Sequence, residues 1–290
     1  MKDGFLFIDK QVDWTSRDIC NKASHILGIK KVGHSGTLDP FATGLLILAF
    51  GNASKAIPYL EELDKTYIAE LSLGTKTNTA DLTGEVINEA PFGHITREKV
   101  KEVLSSFIGK QTQIPPMTSA IHVNGQKLYE LAHKGIEVER KPRDIEVFEI
   151  SLISFEGNKI IFSARVSKGT YLRTLGEDIA ERLGTVGHLT ELRRVKIHNY
   201  SVTNAITIDQ IKEDSLISIE SILREVMDEV FVDETKTIKI KNGVSFTKNE
   251  LPPVKSENVL LVDAKTREAL AIYHFDGEKY TCLRGLWSWK

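Results

Sequence analysis

The stretch "GHSGTLDPFATGLLILAFG", Gly33 to Gly51, changes character halfway along. It opens with small and polar residues, reaches Asp39-Pro40, and then runs apolar from Leu45 to Phe50. The apolar half reads as a buried strand, so a carboxylate stands at the lip of the core. Pro40 biases Asp39 away from helical backbone angles toward an extended or turn conformation. Gly33 and Gly36 let the chain turn tightly beside it. Two readings are open at this point. Asp-Pro commonly serves a stabilised turn. Alternatively, the loop presents a carboxylate rigidly into a cleft, where it needs a cationic partner to stay ionised.

The surrounding chain mixes both periodicities. "GFLFID" reads as a short buried strand. "TSRDICNKASHILG" reads as a helix capped by Thr15 or Ser16, with Ile19, Ala23, Ile26 and Leu27 on one face and Gly28 at its end. "KTYIAELSLG" alternates, placing Tyr67, Ala69, Leu71 and Leu73 on one side of a strand. "REKVKEVLSSFIG" has helical spacing through Val100, Val103, Leu104, Phe107 and Ile108. "IEVFEI" and "KIIFSARVS" read as strands. "TYLRTLGEDIAERLG" returns to helical period through Leu172, Leu175, Ile179 and Leu183. "HLTELRRV" is expected to form one more short helix, and the acidic stretch from about 209 to 230 a solvent-facing one. From Val230 on, "TIKIKNGVSF", "NVLLVDA", "EALAIYHF" and "KYTCLRGLW" read as short strands of a small β domain. Strands and helices do not alternate regularly, which points to α+β rather than a doubly wound α/β fold. The expected division is a main domain over 1–229 and a β domain over 230–290.

Composition narrows the function classes. The chain has 290 residues, 41% hydrophobic and 27% charged, ordinary for a soluble globular protein. "MKDGFLFIDK" is too short and too charged for a signal peptide, and no apolar run approaches a membrane span. A cytoplasmic location is the expectation. Cys20 and Cys282 are too few and too distant to suggest a disulfide framework. The net charge is −2, yet nine acids and only two bases fall between Asp209 and Glu234, so the remainder is net basic. Basic clusters sit at Lys30-Lys31, at Arg140-Lys141 with Arg143, and at Arg193-Arg194 with Lys196. Such clusters can grip a phosphate backbone; solvated surface charge is the commoner use. The absence of heptads points to a monomer.

Common cofactor and metal motifs are missing. Gly28 and Gly33 have P-loop spacing, but His34 stands where the lysine is needed, and no G-x-G-x-x-G occurs. There is no H-E-x-x-H and no C-x-x-C, so neither a metal nor a cofactor is expected. Ser35 and Ser119 lack a nucleophile elbow. Gly33-His34-Ser35-Gly36 matches the short GXXG of KH loops, but so does Gly184–Gly187. A cationic partner for Asp39 is available in "VSKGTYLRTLGED", where Gly169 permits a bend and Arg173 follows Tyr171 near a strand-to-helix transition. Tyr67 could stack a base, although core packing is the commoner role of a strand tyrosine.

Six segments, in order over most of the first 200 residues, resemble one family: TruB-type tRNA pseudouridine synthases, the pseudouridine-55 class. They are "GFLFIDKQVDWTS", "GHSGTLDPFATGLLILAFGNASK", "KTYIAELSLGTKTNTADLTGEV", "PPMTSAIHVNGQKLYELAHKG", "VSKGTYLRTLGEDIAERLG" and "HLTELRRVKI". The resemblance implies an α+β fold with a mixed, largely antiparallel sheet, flanking helices and a central RNA-binding cleft. It also implies that the terminal β segment is PUA-like. The implied activity is isomerisation of the T-loop uridine at position 55 of tRNA to pseudouridine without a guide RNA, alongside a tRNA-folding role. By the same resemblance Asp39 is the catalytic aspartate, Tyr67 packs on the target base, and Arg173 pairs with the aspartate. His34 would help seat the nucleotide, and Lys10, Leu192 and Lys168 would lie near the cleft as further substrate-binding positions. The base would be flipped out of its loop.

Several positions depart from the family pattern. Gln11 and Asp13 stand where Pro and Gly are usual, so the turn after Lys10 is expected to differ. Thr118 replaces a common Tyr, His133 a common Arg, and Asn78 a frequent Asp. These departures are expected to bear on RNA contacts and to leave the Asp39, Tyr67 and Arg173 group untouched. Two other classes stay open: an RNA-binding module without turnover, and a guide-RNA-dependent relative, which usually carries a longer, more basic terminal region.

Overall fold

The structure, a computed structural model, describes residues 3–119, 122, 123, 126, 127, 136 and 138–287. The elements run β1 (Gly4–Lys10), α1 (Ser16–Leu27), β2 (Val32–His34), β3 (Thr43–Phe50), α2 (Ile57–Glu61), β4 (Lys65–Leu73), β5 (Thr75–Thr77), β6 (Val86–Glu89), α3 (Arg97–Ser105), β7 (Gly109–Gln113), β8 (His122–Val123) and β9 (Gln126–Lys127). They continue with β10 (Arg143–Glu156), β11 (Lys159–Val166), α4 (Leu172–Arg182), β12 (Gly187–Ile197), β13 (Tyr200–Ser201), α5 (Ile219–Leu223), β14 (Asp228–Val232), α6 (Glu234–Lys241), β15 (Phe246–Thr247), β16 (Asn258–Asp263), β17 (Ala269–Phe275) and β18 (Lys279–Gly285).

The main sheet has the order β1-β3-β12-β4-β11-β10-β7, with β2 beside β3 and β13 beside β12. Every pair in it is antiparallel except β3 with β12. The fold is α+β with a largely antiparallel sheet, as the sequence pattern indicated. The apolar run of β3 is continuous because both its faces are covered. Leu46, Leu48 and Phe50 join a core that includes Ile19 and Ala23 of α1, Leu104 of α3 and Ile179 of α4. Leu45, Ile47 and Ala49 face the other way, against Leu260, Val262, Ile272 and Leu286. Those four residues belong to or adjoin a second sheet, ordered β14-β16-β17-β18-β15, which has its own core around Tyr273 and Tyr280.

Three expected elements are different in the structure. "HLTELRRV" lies in β12, the central strand between β3 and β4, and not in a helix. Register shifts between Leu189 and Glu191 and between Arg194 and Lys196 insert extra residues. They stretch the buried spacing, Leu189 to Leu192 and Arg194 to Ile197, from two residues to three, which imitates a helix. The alternating "TIKIK" forms helix α6, capped by the Asp233 side chain, with Thr237 and Ile240 buried and Ile238 exposed. The only helical elements of the acidic stretch are the short α5 and a 3-10 turn at Ile208–Gln210, and its end enters β14. Its apolar residues, Ile208, Ile211, Leu216, Ile219 and Ile222, are buried, and Ile217 exchanges backbone hydrogen bonds with Phe5 of β1. It is a strap along the sheet edge with Asp209, Glu213, Asp214 and Glu225 outward and Glu220 and Glu229 partly buried.

Candidate active site

The Asp39 loop, between β2 and β3, is fastened from several sides. The N-terminal helix start is one anchor: Thr15 and Asp18 form a capping box on α1. Ser16 Oγ then accepts from Leu38 N at 2.9 Å and donates to Leu38 O at 3.2 Å. Lys10, fully buried at the end of β1, donates from Nζ to the carbonyls of Gln11, Trp14 and Pro40 at 2.9, 2.7 and 3.2 Å. Burial pushes its ammonium down to about 8, while Asp39 pulls the other way. In the turn after Lys10, Asp13 adopts φ +67° and donates its N–H to Pro40 O at 2.9 Å. Aspartate tolerates that left-handed conformation better than most residues. Lys10 thus stands behind the loop, outside the lining of the cleft.

The cationic partner arrives from α4. Gln113 at the end of β7 brackets Tyr171, accepting from its N–H at 2.8 Å and donating to its carbonyl at 3.1 Å. This fixes the start of α4 and so the position of Arg173, whose side chain is only 4% exposed. Arg173 Nε lies 2.9 Å from Asp39 Oδ2, and Nη2 donates to Oδ1 at 3.2 Å. Nη1 donates to Thr118 Oγ1 at 2.5 Å and to Thr79 O at 3.0 Å, and lies 3.4 Å from Asp81 Oδ2. Asp81 is itself held by Thr79 Oγ1, Thr83 Oγ1 and Thr83 N at its other oxygen. One buried guanidinium therefore joins two carboxylates. Thr118, expected to leave this group untouched, is one of its hydrogen-bond acceptors. Asn78 lies one step out, accepting from Glu85 N in the turn that carries Asp81.

The Asp39 side chain remains 32% exposed, toward a cleft of 390 Å³. Burial pushes its carboxyl up from the usual range; Arg173 opposes this and Asp81 adds to it. Tyr67, Lys168, Arg173 and Leu192 line the same cleft, together with Tyr171 and Arg194. Tyr67 sits on β4 directly opposite Arg194 of β12. The structure brings Asp39, Tyr67, Arg173, Leu192 and Lys168 together. His34 on β2 does not line the cleft; its Nδ1 is buried without a partner among the described residues. Burial, then Arg194 and Arg17, push its imidazole down, favouring the neutral form. Lys168 forms an exposed ion pair with Glu62 at the cleft. His133 lies outside the described residues.

Sequence reasoning missed Asp81, Gln113 and the separate fates of Arg193 and Arg194. Strand alternation was the available signal for the arginines. Arg193 points outward and pairs with Asp9 at 2.7 Å, whereas Arg194 is 1% exposed. Neither is a free phosphate grip of the kind their clustering suggested. Among the described residues no group of three or more His, Cys, Asp or Glu could hold a metal ion, and no helix is long and apolar enough to cross a membrane.

The family model described as TruB family pseudouridylate synthase, N terminal domain, matches residues 24–172. The one described as tRNA pseudouridylate synthase B C-terminal domain matches 173–233. A tRNA pseudouridine synthase B from Geotalea uraniireducens is 39% identical over 95% of this chain and 89% of its own. One from Bacillus subtilis is 39% identical over 94% of this chain and 93% of its own. A solved chain in a Cbf5-Nop10-Gar1 complex shares the fold, with a TM-score of 0.77 at 22% identity, over 99% of this chain and 85% of that one. With the matched segments spanning the Asp39 loop, β4, α4 and β12, the chain belongs to the TruB family of pseudouridylate synthases.

Proposed function

We propose that this protein converts the T-loop uridine at position 55 of tRNA to pseudouridine, acting in the cytoplasm as a monomer and without a guide RNA. The observation that carries the reading is the Asp39 carboxylate, held by two nitrogens of a buried arginine yet open to a cleft that Tyr67 also lines. Support for tRNA as substrate comes from the two relatives above, which are much closer in sequence than the chain of the Cbf5 complex.

The reaction breaks the bond from N1 to C1′, turns the uracil, and forms a bond from C5 to C1′. C5 gives up a proton and N1 gains one, so no redox partner is required. The uridine must leave its stack to reach Asp39. Asp39 supplies the carboxylate, by attack at C1′, addition at C6 or proton removal at C2′. Arg173 keeps it ionised and aimed, and the Tyr67 ring packs on the base. Lys168 holds an RNA phosphate; Lys10 supports the loop from behind, and His34, behind the cleft lining at the end of β2, helps seat the nucleotide through the loop that it begins. Residues 1–229 form the catalytic domain and 230–290 a PUA-like RNA-binding domain. Because binding alone can remodel a tRNA, a folding role would survive loss of the carboxylate.

Tritium release from a tRNA transcript labelled at uridine C5, with no added protein, tests the reading. The unaltered chain should release label at one T-loop site, and Asp39→Asn should bind tRNA but turn over about 10³-fold more slowly or not at all. Release by Asp39→Asn at the unaltered rate would sink the assignment. Tight binding without release by the unaltered chain would leave a binding module or a particle-dependent relative.

A further inference from the structure

We infer that Arg194 is a positioning residue for the catalytic carboxylate, a clasp that closes the Asp39 loop on itself. This rests on the functional reading above. The loop leaves β2 at His34 and enters β3 at Thr43. Arg194 reaches both sides of it. Its Nε donates to Leu45 O at 2.7 Å, in β3 just beyond the arm after Asp39. Its Nη2 donates to Gly36 O at 3.1 Å, and Nη1 lies 3.5 Å from Thr37 O, both on the arm before. The side chain is 1% exposed, and no carboxylate among the described residues forms an ion pair with it.

A buried guanidinium whose hydrogen bonds all go to backbone carbonyls is an expensive way to stabilise a fold. A hydrophobic side chain would pack there at less cost, unless the carbonyls themselves must be held. The fork geometry of arginine suits the task, since one planar group can reach acceptors on two sides of the loop at once. The strand is held close to the Arg194 backbone: Gly44, its partner in the parallel register, adopts φ +103°, and a Cβ there would sit 2.3 Å from the Arg194 main-chain carbonyl. Gly36, whose carbonyl accepts from Nη2, adopts φ +110°. Arg194 also lies opposite Tyr67 in the register of β12 and β4, so one strand position ties the loop to the base-packing residue. Its charge reaches Lys10, Lys65 and His34, and pushes each of them toward the neutral form.

The test is turnover of the C5-labelled tRNA transcript by Arg194→Ala and Arg194→Lys. A displacement of the carboxylate by about an ångström costs on the order of 10²-fold in rate. Arg194→Ala should therefore lose about that much in kcat with KM within threefold of the unaltered chain, and Arg194→Lys should fall between. Added guanidinium chloride, below its denaturing range and matched against sodium chloride, should restore Arg194→Ala by tenfold or more, but not Asp39→Ala. Unchanged kcat would overturn the inference, as would a rise in KM parallel to the loss, or failure of rescue in a variant that melts like the unaltered chain. Failure of both variants to fold at the assay temperature would also overturn it, leaving a purely structural arginine. Silence from the unaltered chain overturns the functional reading itself, whereas activity kept by Arg194→Ala overturns this inference alone.

Discussion

Arg173 meets Asp39 edge-on, with Nε 2.9 Å from Oδ2 and Nη2 3.2 Å from Oδ1, while Nη1 turns away to Thr118, Thr79 and Asp81. Nη1 and Nη2 make hydrogen bonds, while Nε approaches Oδ2 closely without hydrogen-bond alignment, so the guanidinium contacts both carboxylate oxygens. A lysine would keep the charge but could not reach both carboxylate oxygens together with Thr118 and Thr79. Arg173→Lys should fold, retain tRNA affinity within a few-fold, and lose about 10²-fold in single-turnover rate. Arg173→Ala leaves two carboxylates without their cation and should lose about 3–5 kcal/mol in urea unfolding. Turnover by Arg173→Lys at the unaltered rate would show that charge alone suffices.

Asp81 gives the site a pH signature. Burial raises the Asp39 pKa, Arg173 lowers it, and the Asp81 carboxylate raises it further. A group that must be ionised to react gives a rate that climbs with pH through its pKa, so the acidic limb should lie above the ordinary carboxylate range. Asp81→Asn removes one of the two upward pushes, and the limb of kcat/KM should move to lower pH. A limb that stays put or moves up would contradict the assignment. The stability sign is the reverse of an ordinary salt-bridged aspartate. A folded pKa above the unfolded one means stability falls as pH rises from the unfolded value through the folded one. Ionised Asp39 is therefore a cost that the fold carries at neutral pH.

The α+β class and the β3 strand were legible because apolar periodicity is local. Asp39, Tyr67 and Arg173 were legible as candidates, and their juxtaposition followed from resemblance. What was not legible depended on partners far away in sequence. The bulges that make β12 look helical are set by its pairing with β4, and α6 is decided by an Asp233 cap that outweighs the alternation of "TIKIK". Asp81 and Gln113 carry no local signal, since a polar residue in a turn or at a strand end is ordinary. Only the arrival of α4 shows that one binds Arg173 and the other brackets Tyr171.

Lys168 offers a separation of binding from stability. Its ion pair with Glu62 joins two largely exposed side chains, and such pairs contribute about 0–1 kcal/mol. Lys168→Ala should therefore leave the melting temperature nearly unchanged. If Lys168 gives up Glu62 for an RNA phosphate, the variant should bind tRNA more weakly. The slope of log K against log salt should then become shallower by about 0.7–1. An unchanged slope would mean that Lys168 touches no phosphate. Glu62→Gln makes the complementary case, since it frees the lysine and should tighten binding slightly.

Tyr67 separates stacking from hydrogen bonding. The residue is 9% exposed, packed in the main core, and lines the cleft from β4. Loss of a ring that stacks on a base costs about 1–3 kcal/mol. Tyr67→Leu should therefore weaken productive tRNA binding by roughly one to two orders of magnitude, with little change in stability because a leucine still fills the core side. Tyr67→Phe keeps the ring and removes only the hydroxyl. Affinity equal to the unaltered chain with a reduced rate would give the hydroxyl a part in removing the C5 proton. Equal affinity and equal rate would confine Tyr67 to stacking. A loss of affinity in Tyr67→Phe as large as in Tyr67→Leu would mean that the hydroxyl, and not the ring face, holds the nucleotide, and the packing role assigned to Tyr67 would fall.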